Sequence, residues 1–151
     1  MTLRFAYRLI QVPRPPVPLR GRWVRPRPIV TVSVIGATGV MIEDALVDSG
    51  ADDSVFPDSV ASLIGIDLSA APQGAAAGIG MNPVPLRYAQ ATLRLTDSRE
   101  HREWQTWIGF TSVPMRRSVL GFAGFLQFFT ATFDGEHEQL ELTANHLYPG
   151  T

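Results

Sequence analysis

Ala45-Leu46-Val47-Asp48-Ser49-Gly50-Ala51-Asp52-Asp53 is the stretch on which the fold turns, because an apolar strand runs directly into a carboxylate and then into a glycine turn. A carboxylate that works in hydrolysis has to be held rigidly beside apolar walls that shift its pKa. Small neighbours must also let backbone amides and a water approach closely. The tripeptide alone says little: on this composition an Asp-Ser/Thr-Gly match arises by chance on the order of 0.1 times, so the flanking sequence has to decide. The plainer reading of the same residues is an Asx-type turn in which Asp and Ser bond local backbone groups.

Working outward, Ile29 to Ile35 is almost wholly β-branched and alternates Val30, Val32 and Val34 on one face, which predicts a strand. Turn residues Gly36 to Gly39 follow, and Val40 to Val47 reads as the second strand of a hairpin. Pro57 to Gly65 reads as a helix of about two turns, with proline at the first helical position, Val60, Leu63 and Ile64 on one face, and Gly65 at the exit. Gln73 to Gly80 is rich in glycine and alanine and reads as a mobile loop. Tyr88 to Leu95 and Arg102 to Phe110 alternate as strands about a turn at Thr96 to Arg99. That alternation puts Trp104 and Trp107 on opposite faces, one in the core and one exposed or at an interface. Phe122 to Phe129 is an apolar block of helical length, and Asp134-Gly135 predicts a hairpin between Thr130–Phe133 and Gln139–Thr143. Short strands with closely spaced turns imply an all-β sandwich or barrel with one or two short helices.

At 151 residues the chain fits one domain, and 45% hydrophobic with 18% charged residues is ordinary for a packed globular protein. Residues 1–28 read as an appended Pro/Arg-rich N-terminal arm, with six prolines and five arginines between Pro13 and Pro28, and residues 29–151 as the domain itself. Alternation of Phe5, Tyr7 and Leu9 with Arg4, Ala6 and Arg8 favours a short strand inside that arm. A net charge of −1 gives no electrostatic reason to expect nucleic acid or an anionic membrane as a partner. With no cysteine, disulfides, thiolate nucleophiles and thiolate metal sites are excluded, and three scattered histidines do not make a zinc cage. His137 among Glu136, Glu138 and Glu141 sits beside a hairpin turn, where charged residues face water. Arg4 and Arg8 interrupt the N-terminal apolar run, so neither a signal peptide nor a membrane span is expected and a cytoplasmic location is the default.

In order and spacing, residues 23 to 143 resemble the retropepsin family of aspartic proteases. Trp23 to Gly36 looks like the family's first strands, and Ala45 to Val55 looks like its catalytic loop. Gly78-Ile79-Gly80 is similar to the tip of its substrate-covering flap, and Val119-Leu120-Gly121 to its second apolar-apolar-glycine signature. The resemblance implies an all-β, retropepsin-like acid protease half-barrel closed by homodimerisation, acting as an aspartic endopeptidase on polypeptide substrate without metal or organic cofactor.

It implies that Asp48 is the catalytic carboxylate, that Ser49 bonds across the dimer axis, and that Gly50 permits the tight turn. Ala51, Asp52, Asp53, Gly78, Ile79, Gly80, Val119 and Leu120 would contact substrate, with Val55 and Val84 adding apolar pocket walls. Val119 to Gly121 would also thread beneath the Asp48 loop and support it. The chain holds a single Asp-Ser/Thr-Gly, so a pair of catalytic carboxylates requires two copies. Two positions depart from the family: Phe122 stands where an arginine often pairs with the first aspartate after the motif, and Ala123 where Asp or Asn is common. Asp52 is then left to Arg25, Arg116 or Arg117, or to solvent. The same departures motivate the alternative of an inactive dimerisation or peptide-binding module, since fold alone does not decide function.

Overall fold

In the computed structural model, which describes residues 1–77 and 82–151, the segments that alternate in sequence become strands with their apolar side inward. In chain order these are β1 (Thr2–Ala6), β2 (Arg8–Gln11), β3 (Val24–Arg27), β4 (Ile29–Ile35), β5 (Val40–Val47) and β6 (Val55–Pro57). They continue with β7 (Gln73–Ala76), β8 (Val84–Thr96), β9 (His101–Thr111), β10 (Ser118–Leu120), β11 (Phe129–Asp134) and β12 (Gln139–Ala144). One α-helix, α1 (Asp58–Leu63), follows β6, and 3-10 turns lie at Val17–Leu19 and Leu126–Phe128.

Six strands form a ring in the order β4, β5, β10, β6, β9, β8 and back to β4, with β7 attached outside it along β8. Val30, Val32 and Val34 of β4, Leu93 and Leu95 of β8, and Trp104, Ile108 and Phe110 of β9 fill the interior. Each such side chain contributes about 1.5–3 kcal/mol by leaving water. Trp107 points outward and is half exposed, so the period-two reading of β9 holds from Trp104 to Ile108, beyond which Gly109 is buried as well.

The fold is therefore all-β with short helices, as the sequence implies, and its six-stranded barrel is complete in one chain. The ring closes within one chain through antiparallel β4–β8 pairing, with Val32 opposite Leu95 and Val34 opposite Leu93. No partner strand is needed to complete it.

Three local expectations change. Helix α1 is shorter than expected, Pro57 serves as its N-cap instead of its first residue, and Leu63 is 62% exposed while Ala61 takes the inward place beside Val60 and Ile64. Gly65 does end it, at φ 81°. The apolar block 122–129 is not a helix: Gly124 adopts φ 84°, where a side chain would strike the Trp107 carbonyl, and only a single 3-10 turn survives. Gln73–Ala76, expected to lie in a mobile loop, is strand β7, because backbone pairing to β8 needs nothing from its side chains.

Residues 1–28 meet the domain in two ways. β1 pairs antiparallel with β12, placing Leu3 opposite Leu142 in the core, and β12 pairs with β11 across the Asp134-Gly135 turn. β2 and β3 form a separate two-stranded ribbon in which Pro26 faces Leu9, the kind of edge position proline tolerates. A cluster of Trp104, Phe125, Phe129 and Tyr148, with ring centroids 5.4–5.9 Å apart, joins the terminal sheet to the ring. Among the described residues no helix is long and apolar enough to cross a membrane.

Candidate active site

The Asp48 turn is built where three strands meet. β10 lies between β5 and β6, parallel to the first (Leu120 beside Val47) and antiparallel to the second (Val119 beside Val55). The chain that leaves β5 must therefore arch over the end of β10 before it re-enters as β6, and residues 48–54 are that arch. Its first residue is tied down at once: the Asp48 amide donates to the Leu120 carbonyl at 3.0 Å, and the preceding Val47 amide donates to Pro28 at 2.9 Å.

Inside the arch, the Gly50 amide donates to Asp48 Oδ1 at 2.9 Å and the Ala51 amide to the Asp48 carbonyl at 3.2 Å. These bonds orient the carboxylate while leaving it half exposed, with Ser49 and Gly50 open to solvent. The far side of the arch is held by the segment after β10. Phe122 and Ala123 donate their amides to the carbonyls of Ala51 and Asp52, each at 2.8 Å, and Asp53 bridges Ala123. Gly121 passes so close beneath that a methyl there would press on the carbonyl oxygens of Asp53 and Ala51, the latter at 2.7 Å.

Two residues of this support escaped the sequence reading. Ser54 is buried, accepts a bond from the Gly121 amide at 3.1 Å and donates to the Ala123 carbonyl at 2.9 Å, so one hydroxyl ties the end of the arch to two points of the segment after β10. Its signal was a lone hydroxyl between two aspartates and the apolar Val55-Phe56. Tyr88 of β8 donates its phenol to Asp53 Oδ2 at 3.1 Å, a contact across 35 positions that no local pattern announces. Burial pushes the Tyr88 phenol above its ordinary value, and Asp53 adds to that rise.

The predicted site residues do not all share one surface. Asp48, Ser49, Gly50, Ala51, Asp52 and Asp53 are together in the arch. Leu120 needs correction: its side chain is fully buried in the core, so it supports the turn from beneath and does not face a substrate. Val55 is likewise buried, whereas Val119 and Val84 are half-buried. Asp52 is exposed and makes no ion pair among the described residues, with Arg25, Arg116 and Arg117 or with any other cation. Gly78, Ile79 and Gly80 lie outside the described residues. Phe122 projects outward beside Ala51 and is 60% exposed. Two clefts, of about 540 and 570 Å³, open between the ring and β1 and beside α1 and β7, and neither is lined by Asp48, Ser49 or Gly50.

The site thus consists of an all-β ring with a strand inserted beneath an Asp-Ser-Gly turn. No family model and no curated protein matches the chain in sequence. Among solved structures, the retroviral protease-like domain of Ddi1 from Leishmania major aligns with a TM-score of 0.49 at 14% identity, covering 83% of this chain and 94% of that one.

Proposed function

We propose that the chain is one subunit of an aspartic endopeptidase whose active site forms when two copies bring their Asp48 carboxylates together at a two-fold axis. The observation that carries this reading is the Asp48 turn itself. A half-exposed carboxylate is oriented by the Gly50 amide on an arch held from beneath by β10 and from behind by Ser54. Nothing in a simple Asx turn calls for that much support.

One copy brings one such carboxylate. Two carboxylates on the order of 3 Å apart, the general case for aspartic proteases, share a proton because both cannot ionise. The ionised one takes a proton from water, whose oxygen adds to the scissile carbonyl carbon, while the protonated one hydrogen-bonds the carbonyl oxygen. Collapse of the tetrahedral adduct breaks the C–N bond and delivers the proton to the amine. Exposed Phe122, whose amide is bonded to Ala51, supplies an apolar contact beside the turn for the second copy to cover. An extended polypeptide substrate would add its backbone to a free sheet edge near the site.

The test is hydrolysis of denatured casein or a peptide library between about pH 3 and 7, with Asp48→Asn as the control. Cleavage that disappears in Asp48→Asn supports the reading, and equal behaviour of the two proteins ends it. Phe122 and Ala123 favour the second reading, a peptide-binding or dimerisation module that cleaves nothing, and that reading predicts no cleavage from either protein. Sedimentation separates the subunit claim, since a strictly monomeric protein that still cleaves contradicts a shared dyad.

A further inference from the structure

Tyr88 sits at the junction of β7, β8, β9 and the Asp48 arch. Its ring lies against Gly74 of β7, where a methyl would come within 2.6 Å of Cε2 and 2.8 Å of the hydroxyl, so only glycine leaves the ring its place. On another side the ring reaches Gly109 of β9, whose added methyl would stand 3.5 Å from Cε1, and the Gly109 amide is itself bonded to the Ser54 carbonyl at 2.9 Å. The Tyr88 amide donates to Pro72, immediately before β7, at 2.9 Å. From this seat the hydroxyl donates to Asp53 Oδ2. Asp53 in turn bridges Ala123, and its carbonyl roofs Gly121.

We propose that Tyr88 is a positioning residue for the Asp48 arch, its hydroxyl locking the Asp53 end of the arch to the β7–β8 pair through the two-glycine slot. The Asp53 backbone is held by the segment after β10, and its side chain by Tyr88, so the last carboxylate of the arch is fixed from two independent directions. Asp48 begins the same arch, and the Tyr88 hydroxyl is bonded to Asp53 and not to Asp48, so the effect on Asp48 passes through the backbone of residues 49–53. The consequence for turnover rests on the protease reading above, whereas the mechanical coupling does not.

The test compares wild type with Tyr88→Phe and Asp53→Asn, and needs no catalysis for its first two readouts. Hydrogen exchange at the Phe122 and Ala123 amides, which donate to the arch, is expected to accelerate about tenfold in Tyr88→Phe while β4 and β5 amides stay unchanged. Asp53→Asn keeps an acceptor for the phenol, so its exchange should stay near wild type. It removes the charge, however, and the Tyr88 absorbance titration, identified by its absence in Tyr88→Phe, should move down towards the ordinary tyrosine value. In an active protein Tyr88→Phe should lower kcat about tenfold with little change in KM.

Unchanged exchange in Tyr88→Phe, or a Tyr88 titration indifferent to Asp53→Asn, overturns the proposal. Absence of Asp48-dependent cleavage in wild type would count against the protease reading alone, because exchange and titration still decide the role of Tyr88.

Discussion

Replacing Gly121 with alanine probes the arch at its tightest point. The added methyl would press on two backbone carbonyl oxygens, those of Asp53 and Ala51, and neither can swing aside as a side-chain tip would. Relief requires the arch to lift or the end of β10 to drop. Either movement stretches the bonds from Phe122 to Ala51, from Ala123 to Asp52 and from Gly121 to Ser54. Three weakened hydrogen bonds at up to about 1 kcal/mol each, with about 1–3 kcal/mol for overpacking, give an expected loss of about 3–5 kcal/mol. That is a large part of the 5–15 kcal/mol typical of a whole domain. Equilibrium urea unfolding is the assay, and at an m-value of about 2 kcal/mol/M the midpoint should fall by about 1.5–2.5 M. Gly135→Ala is the matched control, because a methyl there meets nothing within 4 Å. A Gly121→Ala midpoint equal to that of Gly135→Ala would refute the claim that the arch rests directly on residue 121.

Two further outcomes follow from groups away from the arch. The Arg8 guanidinium bonded to Asp44 is the main cause that holds this carboxyl below its ordinary range, with Thr31 assisting. A depressed folded value adds stability that is present above about pH 4 and lost as pH falls through the folded value. Arg8→Met should therefore lower the urea midpoint at neutral pH and leave it unchanged in strong acid. Both side chains are substantially solvent-exposed, so screening limits the effect to under about 1 kcal/mol; a deficit that persists undiminished at low pH would contradict the assignment. Trp104→Phe removes the bond from Nε1 to the Gly124 carbonyl at 3.0 Å and opens space among Phe125, Phe129 and Tyr148. Thermal unfolding should show about 2–4 kcal/mol of destabilisation, and a melting temperature equal to wild type would mean the cluster does not join the two sheets.

What could be read from sequence was what is local or periodic. β4, β5, β8 and β9 announce themselves because inward and outward residues alternate, and that period also sorts Trp104 from Trp107. The Asp48 turn was legible because strand, carboxylate and glycine are contiguous. The apolar run 122–129 misled because hydrophobicity without a period cannot tell a helix from a buried turn, and the left-handed backbone at Gly124 breaks any helix there. β7 was missed because glycine and alanine carry no strand preference, so its pairing is set by β8 and by the Tyr88 ring that needs Gly74. Ser54 and Tyr88 were missed for the same physical reason: their partners are 69 and 35 positions away, and only the fold brings them into reach.

Closure of the ring inside one chain changes what a second copy would be for under the proposed pairing. Had the barrel been half-built, a lone chain would expose the edges of β4 and β8, and folding and assembly would be one event. With β4 paired to β8, those edges are satisfied and the core is complete, so one chain can hold the Asp48 arch in shape by itself. On the proposed reading, a second copy would bring only the other carboxylate. The arch is therefore stabilised from within by β10, Gly121 and Ser54, and Ser49, Gly50 and Phe122 are left exposed, where a facing copy would cover them under the proposed pairing. Under the proposed pairing, Phe122, standing where the resembled family often has an arginine, would leave the chain a means of association. It would substitute burial of an exposed aromatic, insensitive to salt, for an ion pair that screening would weaken.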